Sequence, residues 1–463
     1  MARERLVVVG NGMATTRLLE QLVARGADLH VTVVGDEPGP SYNRILLSAL
    51  LEGTHPVDEL ALKEPGWYDE HGIDLRTGER VADVDRKDRE VVLEDGTRLP
   101  YDRLVLATGS IPTLPPIRGL VGPDGRLHPK VHAFRSMADC LRLDAAVPSA
   151  RRAVVVGGGL LGLQVTRALA VRGLEVEVVE GSSHLLSSQV GEQAGAVLRQ
   201  SLRRLGTEVY THARAVRLTD EGLRLDNGYT LDTDLVVLTA GGRPATALAK
   251  RMGLFVRRGI VVDAALRSVT DERVHALGDC AESHGRTTGF VPPAWEQAAV
   301  LAGVLAGGPE RYDGSRLVAR LRATGLDVAV LGDPEHTDGD VVEIANPLKG
   351  SYRKVVVRGG VVEAGVMVGD LSRVALLTQM FDRRTVLGPD EPGQLLMGEV
   401  PTAPTPLPDD AEVCACAGVT AGRIRACADL DSVVETTRAT TGCGGCRAAV
   451  CALLGTVTSP SPV

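Results

Sequence analysis

The chain has 463 residues, of which 44% are hydrophobic and 24% charged, and its formal net charge is −8. This length allows about three or four domains of ordinary globular composition. The negative charge argues against a nucleic-acid partner, and because no stretch of about 18 apolar residues occurs, a membrane partner is not expected either. The apolar run at 6–9 is too short for a signal peptide, so we expect a cytoplasmic protein.

Two segments follow the same plan of strand, glycine-rich turn, helix and strand, at 5–34 and at 151–180. Their repetition predicts an internal duplication with parallel sheets, and hence an α/β fold with two Rossmann-like dinucleotide-binding domains. A G-x-G-x-x-G motif between a strand and a helix binds the pyrophosphate of a dinucleotide. The second segment has all three glycines, and the first has Thr15 at the third place. The glycines of the two motifs are Gly10, Gly12, Gly157, Gly159 and Gly162.

An acidic residue at the end of the second strand of such a unit ordinarily binds ribose hydroxyls. Asp36 takes this place in the first segment and Glu180 in the second. A carboxylate at Glu180 would repel the 2′-phosphate of NADPH, and residues 181–184 contain no arginine to neutralise it. The second site is therefore predicted to prefer NADH. The alternative is a doubly wound scaffold whose dinucleotide sites have decayed.

The remaining chain changes character several times. A β-rich segment with turn signals separates the two units, and short strands followed by an apolar helix near 374–380 are predicted between 315 and 390. A proline-rich linker, a cysteine-rich module and a polar tail follow. The predicted domains are a first dinucleotide-binding domain at 1–115 and 245–310, a second at 116–244, a small α+β interface domain at 311–395, the linker at 396–411, the cysteine module at 412–456 and the tail at 457–463.

Three further motifs carry a family resemblance: ATGSIP at 107–112, LVVLTAGGRP at 235–244 and VHALGDCAE at 274–282. Together with the two glycine motifs they resemble the disulfide-reductase superfamily of flavoproteins with two dinucleotide-binding domains, over residues 1 to about 310. The resemblance implies that the first domain binds FAD and the second NAD(H). Besides the glycines of the two motifs and Glu180, the cofactor-binding residues that it implies are Asp36 at the adenosine ribose, Val81 near the adenine, Thr108, Gly109, Gly242, Gly278 and Asp279.

Disulfide reductases of that superfamily carry a redox-active cysteine beside the flavin, on the first helix or shortly after the first βαβ unit. Neither 13–18 nor 41–51 contains a cysteine in this chain. Cys140 and Cys280, the only cysteines before the last module, are expected to be packing residues. Electrons should therefore leave the flavin directly, and the flavin, rather than a side chain, is the expected redox centre.

The segment YNRILLS at 42–48 resembles a segment of ferredoxin reductases and of NADH-dependent nitrite reductase large subunits. The resemblance places Arg44 against the flavin or its phosphates, and the alternative is a surface arginine in a loop. Two residues depart from those relatives, because Ala49 stands where lysine is usual and Gln164 where glutamate is usual. The two charges can pair near the nicotinamide in the relatives, so their joint loss is self-consistent and leaves Gln164 as an amide in the pocket.

Six of the eight cysteines lie after residue 413, with a C-x-C pair at Cys414 and Cys416 and a C-x-x-C pair at Cys443 and Cys446. Four thiolates suit a [2Fe–2S] cluster or a zinc ion equally well by number. The C-x-C spacing and the glycines around Cys443 favour the cluster, and disulfides are least expected in a reducing compartment. The segment resembles the bacterioferritin-associated-ferredoxin-like [2Fe–2S] domain, with a shorter intervening loop. The module's remaining cysteines, expected to be packing residues, are Cys427 and Cys451.

The whole arrangement resembles the amino-terminal half of NADH-dependent assimilatory nitrite reductases and the electron-transfer subunit of assimilatory nitrate reductases. It implies that electrons pass from NADH through FAD and a [2Fe–2S] cluster to a partner protein, a nitrate or nitrite reductase. Complete nitrite reductases continue into a sirohaem and [4Fe–4S] region with further cysteines, and this chain stops at 463 without one. We therefore expect it to supply a separate catalytic subunit, and a homodimer is compatible with this role.

Three alternatives remain open from the sequence. One is a reductase for an oxygenase's ferredoxin, although such reductases use a separate carrier instead of a built-in cluster. Another is an amino-acid dehydrogenase subunit, for which the NADH site would be redundant. The third is a non-catalytic redox or iron sensor.

Overall fold

The computed structural model describes residues 3–387, 392–396, 407–442 and 444–455. The chain divides into two compact units. The first contains Met1–Arg44, Pro56–Pro112 and Gly242–Ser315, and the second contains Ile45–His55, Thr113–Gly241 and Arg316–Val463. The predicted linker lies partly, and the predicted tail wholly, outside the described residues.

The first unit is built on a parallel sheet of five strands. In spatial order they are Val274–Ala276, Arg103–Leu106, Glu4–Val9, Leu29–Gly35 and Asp74–Thr77. The middle strand is buried on both faces of the sheet. Within the sheet, Val8 pairs with Val33 of one neighbouring strand and with Val105 of the other. Runs of buried valine and leucine are typical of parallel sheets covered on both sides.

Smaller elements complete the first unit. An antiparallel meander of three strands lies in the chain between the sheet strands Asp74–Thr77 and Arg103–Leu106, and the unit also contains two short strand pairs. The meander strands are Val81–Asp85, Glu90–Leu93 and Arg98–Pro100, and the pairs are Ser110–Pro112 with Gly242–Pro244 and Ile260–Val261 with Ala281–Glu282. The helices are Met13–Ala24, Pro65–Glu70, Ala247–Arg251 and Val291–Leu305, with 3-10 turns at Asp58–Leu60 and Gly278–Cys280.

The second unit repeats this plan, as the sequence predicts. Its parallel strands are, in spatial order, Val131–Ala133, Leu235–Leu238, Arg152–Val156, Glu175–Val179 and Glu208–Tyr210. Its antiparallel meander is Ala215–Thr219, Gly222–Leu225 and Thr230–Leu231. The strand that begins each βαβ segment is central in both sheets, so the predicted internal duplication and parallel sheets are confirmed.

A third sheet in the second unit is antiparallel. Its five strands are, in spatial order, Val318–Ala323, Leu326–Leu331, Val361–Val368, Ser351–Arg358 and Asp340–Asn346. The helix Val374–Arg383 buries Leu377 and Phe381 against it. The last four strands in chain order and the helix were predicted, but the first strand was missed because its sequence VARLRA alternates with arginines instead of showing an apolar run.

The helices of the second unit vary in length from five to thirteen residues. They are Leu47–Glu52, Met137–Ala146, Leu160–Val171, Glu192–Arg204, Val374–Arg383, Pro392–Leu396, Ala421–Arg425, Leu430–Thr437 and Arg447–Leu453, with a 3-10 turn at Val147–Ser149. A further 3-10 turn, Arg44–Leu46, begins at the last residue of a first-unit segment. In the described part of the chain, none of the helices combines the length and apolar character needed to cross a bilayer.

The cysteine module is small and mainly helical. A strand pair, Glu412–Cys414 with Val419–Thr420, precedes its three helices. Val419, Ile424, Val433 and Val450 are fully buried in its core. Because this core is only a few side chains deep, the module is of the size at which metal binding commonly contributes to folding.

The buried His275 should make the first unit sensitive to acid. His275 is 1% exposed on the strand Val274–Ala276, and burial, with a contribution from the charge of Arg103, lowers its pKa to about 4. Unfolded histidine has a pKa of about 6.5, so the unfolded chain takes up a proton as the pH falls from 6.5 towards 4 and the folded chain does not. This site should remove about 3 kcal/mol of stability over that range.

The expected result is that His275→Leu reduces the loss of unfolding free energy between pH 7 and pH 4.5, measured by urea denaturation. His30→Leu, which removes an exposed histidine, is the matched control for the substitution itself. A constant difference between His275→Leu and the wild type across this pH range would contradict the assignment.

Candidate functional site

The first glycine of each motif has a backbone conformation that other residues rarely adopt. Gly10 has φ of +110° and Gly157 has φ of +117°. A Cβ atom at Gly10 would lie 2.2 Å from the carbonyl oxygen of Ala107, and one at Gly157 would lie 2.7 Å from that of Thr239. Both strands therefore turn into their helices against the end of the neighbouring strand, and only glycine fits.

The second glycine of each motif leaves a helix start open. Gly12 and Gly159 are the N-cap residues of the helices Met13–Ala24 and Leu160–Val171, and neither helix has a side-chain cap or an acidic residue in its first turn. No atom lies within 4 Å of a Cβ built at either glycine. Backbone N–H groups and the positive end of the helix dipole at such a start bind phosphate groups, so both helix starts suit a pyrophosphate.

The third place of the motif differs between the two units, and the difference has a structural explanation. A Cβ at Gly162 would lie 1.9 Å from the Gly157 carbonyl oxygen, to which the Thr239 hydroxyl donates at 3.1 Å. In the first unit, Thr15 occupies the third place and its own hydroxyl donates to the Gly10 carbonyl at 2.6 Å. The carbonyl of the first glycine thus accepts from a threonine in both units, although the threonine comes from different places in the sequence.

The two predicted ribose-binding acids lie where the sequence places them, just after the second strand of each unit. Asp36 is exposed. Glu180 is half-buried, and its two carboxylate oxygens accept from the backbone N–H of Gly158 at 2.6 Å and of Ser182 at 2.7 Å. These two hydrogen bonds hold the Glu180 carboxylate beside the glycine turn, where an acid that binds ribose hydroxyls is needed.

The Gly278–Asp279 pair sits in a 3-10 turn held by residues that sequence reasoning missed. The backbone N–H of Gly278 donates to the side chain of the buried Gln297 at 2.7 Å. The Ser110 hydroxyl donates to the Asp279 carboxylate at 2.8 Å. Ser110 belongs to the ATGSIP motif, but its contact with Asp279 is not predictable from local sequence, and no motif includes Gln297, because packing brings each to the turn from a separate segment.

Arg44 is not a loose surface arginine. It is half-buried, its guanidinium donates to the carboxylate of Glu37, and it lies 4.9 Å from the ring centre of Tyr42. Tyr42 also donates to Glu37, at 2.7 Å. Burial by itself would lower the pKa of Arg44, but the charges of Tyr42, Glu37 and Asp279 raise it overall, so the guanidinium is a fixed cation near Asp279.

The remaining residues predicted for the first site lie around the end of its sheet. Thr108 and Gly109 follow the strand Arg103–Leu106, the Thr108 hydroxyl donates to the Ala245 carbonyl at 2.7 Å, and Gly109 has φ of +67°. Gly242 pairs with Pro112 between two short strands. Val81 begins the meander and is largely buried.

The two early cysteines are buried packing residues. The Cys140 thiol donates to the Leu47 carbonyl at 3.3 Å, and burial raises its pKa to about 12. The Cys280 thiol donates to the Leu106 carbonyl at 3.3 Å, and burial raises its pKa as well. A thiol with a raised pKa is a poor nucleophile, so neither residue is suited to a dithiol relay.

Gln164 and Ala49 lie on helices that contact each other. Gln164 is half-buried on Leu160–Val171, and Ala49 is on Leu47–Glu52, which packs against it. The two positions at which the chain departs from the pattern expected for its resemblance therefore lie on two neighbouring helices.

Three of the four predicted metal ligands belong to the described part of the cysteine module. Cys414 and Cys446 are buried in its core, and Cys416 packs at the edge. The backbone N–H of Thr440 donates to the Cys446 sulfur at 3.2 Å, as N–H groups do to metal-bound thiolates. Cys443 lies outside the described residues, and among those described no group of three or more His, Cys, Asp or Glu side chains is arranged to hold a metal ion. The N–H donor suits a thiolate at Cys446, whereas the described cysteines are not arranged around a common metal position.

Of the other two cysteines of the module, Cys427 packs against the same core as Cys416 does. The Cys427 sulfur lies 3.3 Å from the Thr436 hydroxyl and donates to the Arg423 carbonyl at 3.4 Å. Cys451 is buried on the helix Arg447–Leu453. The seven described cysteines are all free thiols.

Comparison with known proteins identifies two families along the chain. The pyridine nucleotide-disulphide oxidoreductase family matches residues 4–299, and the C-terminal domain of rubredoxin NAD+ reductase matches residues 318–385. Nitrite reductase [NAD(P)H] of Bacillus subtilis is 34% identical over 96% of this chain and 57% of its own length. The assimilatory nitrate reductase electron transfer subunit of the same organism is 31% identical over 99% of this chain and 60% of its own length. The chain thus spans less than two thirds of either relative.

Solved structures share the fold. The putidaredoxin reductase–putidaredoxin complex aligns with a TM-score of 0.78 and 26% identity, over 87% of this chain and 97% of that chain. A ferredoxin reductase from Rhodopseudomonas palustris aligns with a TM-score of 0.75 and 24% identity, over 83% of this chain and 96% of that chain. The second likeness concerns the fold alone.

The two threonine hydroxyls should support the two cofactor sites separately. Replacing Thr15 by valine removes the 2.6 Å bond to Gly10, and replacing Thr239 by valine removes the 3.1 Å bond to Gly157, with little change of volume. Each loss should cost about 1 kcal/mol, or about fivefold in affinity. We expect Thr15→Val to weaken FAD binding to the apoprotein in a fluorescence titration and Thr239→Val to raise the KM for NADH. Each variant is the control for the other, and equal effects of both variants on both cofactors would refute the separate roles.

Proposed function

The chain belongs to the pyridine nucleotide-disulphide oxidoreductase family, and we propose that it is an NADH-dependent flavoprotein reductase that delivers electrons through FAD and a [2Fe–2S] cluster to a partner nitrate or nitrite reductase. The observation that carries this proposal is the pair of matching glycine turns, both open at a helix start, in one chain with a cysteine core. Two dinucleotide sites are what a reductase with a bound flavin and an exchanging nicotinamide needs.

The first unit supplies the proposed FAD site. Its helix start at Gly12 would bind the pyrophosphate, and Asp36 the adenosine ribose. Arg44, held by Glu37, would provide a positive charge for the cofactor's phosphates, and Asp279, held by Ser110, would bind ribitol hydroxyls. Val81, Thr108, Gly109 and Gly242 would line the same cofactor.

The second unit supplies the proposed NADH site. The helix start at Gly159 would bind the pyrophosphate, and the Glu180 carboxylate, oriented by Gly158 and Ser182, would accept from the ribose hydroxyls. Gln164 is placed one turn along the same helix and would orient the nicotinamide amide.

The cysteine module supplies the proposed cluster site. Cys414, Cys416, Cys443 and Cys446 would be the four ligands, and the Thr440 N–H would stabilise the thiolate of Cys446. When bound, FAD takes an electron pair from NADH and a [2Fe–2S] cluster carries single electrons, so together they connect a two-electron donor to a one-electron acceptor. Cys140 and Cys280 are buried and protonated, and hence take no part.

The partner is inferred from the relatives. One is named a nitrite reductase and another an electron-transfer subunit of nitrate reductase, and the chain aligns along nearly its whole length with each. The alignments cover 57% and 60% of the lengths of those proteins. We therefore assign the electron-delivery part of such a system to this chain.

A spectroscopic experiment on the purified full chain tests the proposal. We expect flavin absorption bands, about two iron atoms per chain, and the EPR signal of a reduced [2Fe–2S] cluster after addition of NADH. Zinc in place of iron, or flavin reduction without a cluster signal, would refute the proposed route. Slow reduction by NADH would instead favour a sensor or an amine-oxidising subunit.

A cysteine substitution isolates the cluster's role. Cys446→Ser should remove the iron and lower cytochrome c reduction by at least about tenfold, because the one-electron outlet is lost, while ferricyanide reduction by the flavin stays within about twofold. Cys427→Ser is the matched control, since Cys427 lies in the same module but is not a proposed ligand. Iron loss in the control as large as in Cys446→Ser would contradict the ligand assignment.

A further inference from the structure

The first unit contains an open cleft that the proposed function does not use. The cleft has a volume of about 670 Å³, and its lining consists of five arginines and three carboxylates. This is a formal excess of two positive charges, on a chain whose net charge is −8. A concentration of arginines against the overall charge of the protein is suited to attract an anion.

The cleft lies at the beginnings of three parallel strands of the first unit. They are Glu4–Val9, Arg103–Leu106 and Val274–Ala276, and each has a charged residue of the cleft at or just before its first position. The proposed FAD contacts Gly10, Thr108 and Gly278 follow the opposite ends of these strands. A strand of six residues is about 20 Å long, so the cleft and the proposed pyrophosphate site of FAD lie at opposite edges of the sheet.

Three of the cleft's arginines are anchored to one short segment of backbone, residues 101–104. Each of them accepts a hydrogen bond of 2.9 Å from an N–H group of this segment through its main-chain carbonyl. The donors and acceptors are Tyr101 with Arg89, Asp102 with Arg5, and Leu104 with Arg273. These bonds hold arginines from three distant parts of the sequence around the same cleft.

Two of the cleft's carboxylates have arginine partners of their own. Asp102 accepts from the guanidinium of Arg5 at 3.0 Å and 2.9 Å and from the Arg5 N–H at 2.9 Å, and these bonds lower the pKa of Asp102 to about 2. Glu4 accepts from the guanidinium of Arg103 at 2.8 Å. Both ion pairs leave the other arginines of the cleft uncompensated.

Arg89 and Arg273 are the uncompensated arginines. Both are exposed, and neither side chain makes a hydrogen bond or an ion pair with any residue that the structure describes. The third carboxylate of the cleft, Glu272, is exposed and forms no ion pair within the same residues. Two guanidinium groups on anchored main chains therefore face the cleft with unused donors.

The spacing of the two anchors allows one small ligand to contact both arginines. Tyr101 and Leu104, which bind their carbonyls, are three residues apart, and three residues of chain span at most about 11 Å. Arginine has a long side chain, so two of them from anchors at this separation can meet at a single ligand.

The lining also restricts the kind of ligand. Sites of this volume that bind drug-sized or cofactor molecules are mostly apolar, whereas every lining residue of this cleft is charged. A nucleobase or another apolar ring would have no surface to pack against. A guanidinium group binds phosphate or carboxylate through two parallel N–H donors, so two such groups suit a ligand with at least two negative charges.

We propose that this cleft binds a compact polyanion, a diphosphate or a small di- or tricarboxylate, between Arg89 and Arg273. Phosphate and carboxylate groups share the oxygen geometry that the two guanidinium groups recognise. The site is separate from the cofactor sites of the proposed function and does not depend on them.

Calorimetric titration of the full chain tests the proposal. FAD and NAD+ are present at saturating concentrations, so that the helix starts at Gly12 and Gly159 are not open to the probe. The probes are inorganic diphosphate and propane-1,2,3-tricarboxylate, in a phosphate-free buffer of low ionic strength. We expect about one probe to bind per chain, with an affinity that falls as sodium chloride is added because the arginines are exposed. The probe that binds more tightly distinguishes a phosphate ligand from a carboxylate ligand.

Substitution of the two arginines locates the bound probe. Arg89→Gln and Arg273→Gln should each weaken its binding by at least about tenfold, which is about what one lost charge-assisted contact produces. Arg311→Gln is the matched control, because Arg311 is an exposed arginine of the same unit outside the cleft, and it should change the affinity by less than about twofold. Equal urea unfolding midpoints show that the variants are folded.

The proposal is overturned if neither probe binds, or if both probes bind with unchanged affinity to Arg89→Gln and Arg273→Gln. Equal weakening in Arg311→Gln would overturn it as well, because the effect would then be one of overall charge. Since the measurement is anion binding, it is distinct from the test of the proposed function. A chain that binds the probe through these two arginines, but whose flavin NADH does not reduce, would contradict the proposed function and leave this site in place.

Discussion

The structure depends on a close contact in each unit, at the glycine where the first strand turns into the following helix. At Gly10 and again at Gly157 the chain turns with positive φ, and its Cα faces the carbonyl of the neighbouring strand. That contact leaves no room for a side chain, and the glycine's own carbonyl would lose a hydrogen bond there without a threonine hydroxyl. Each unit contains one such glycine turn with one threonine donor. The turn leaves an open helix start, and cofactor binding depends on that feature.

The two units use threonines from different places in the sequence for the same hydrogen bond to the glycine carbonyl. Thr15 stands at the third place of the first motif, whereas Thr239 ends a neighbouring strand in the second unit and leaves the third place to Gly162. The two units can take the hydroxyl donor from different positions in the sequence, because both positions lie beside the carbonyl of the motif's first glycine. The substitution of threonine for the third glycine is therefore part of the turn's hydrogen bonding, and the motif in the first unit is complete in chemical terms.

The thiols of the chain separate into two chemical groups. Cys140 and Cys280 are buried under carbonyl groups with raised pKa values, which keeps them protonated and inert. Cys414 and Cys446 are buried in the core of the cysteine module, and Cys416 packs against that core. A flavoprotein without a reactive thiol near its first βαβ unit needs another outlet for electrons, and this cysteine core is the proposed one.

The sequence by itself determined the two βαβ units, the glycine turns and the acids Asp36 and Glu180, because strand and helix periodicity and the conformational freedom of glycine act over a few neighbouring residues. It missed the strand Val318–Ala323, where alternating arginines hide the apolar pattern. Only the tertiary structure decided which distant side chains meet at each site: Ser110 at Asp279 and Thr239 at Gly157. Their positions follow from how separate segments pack and pair, and no spacing along the chain encodes that.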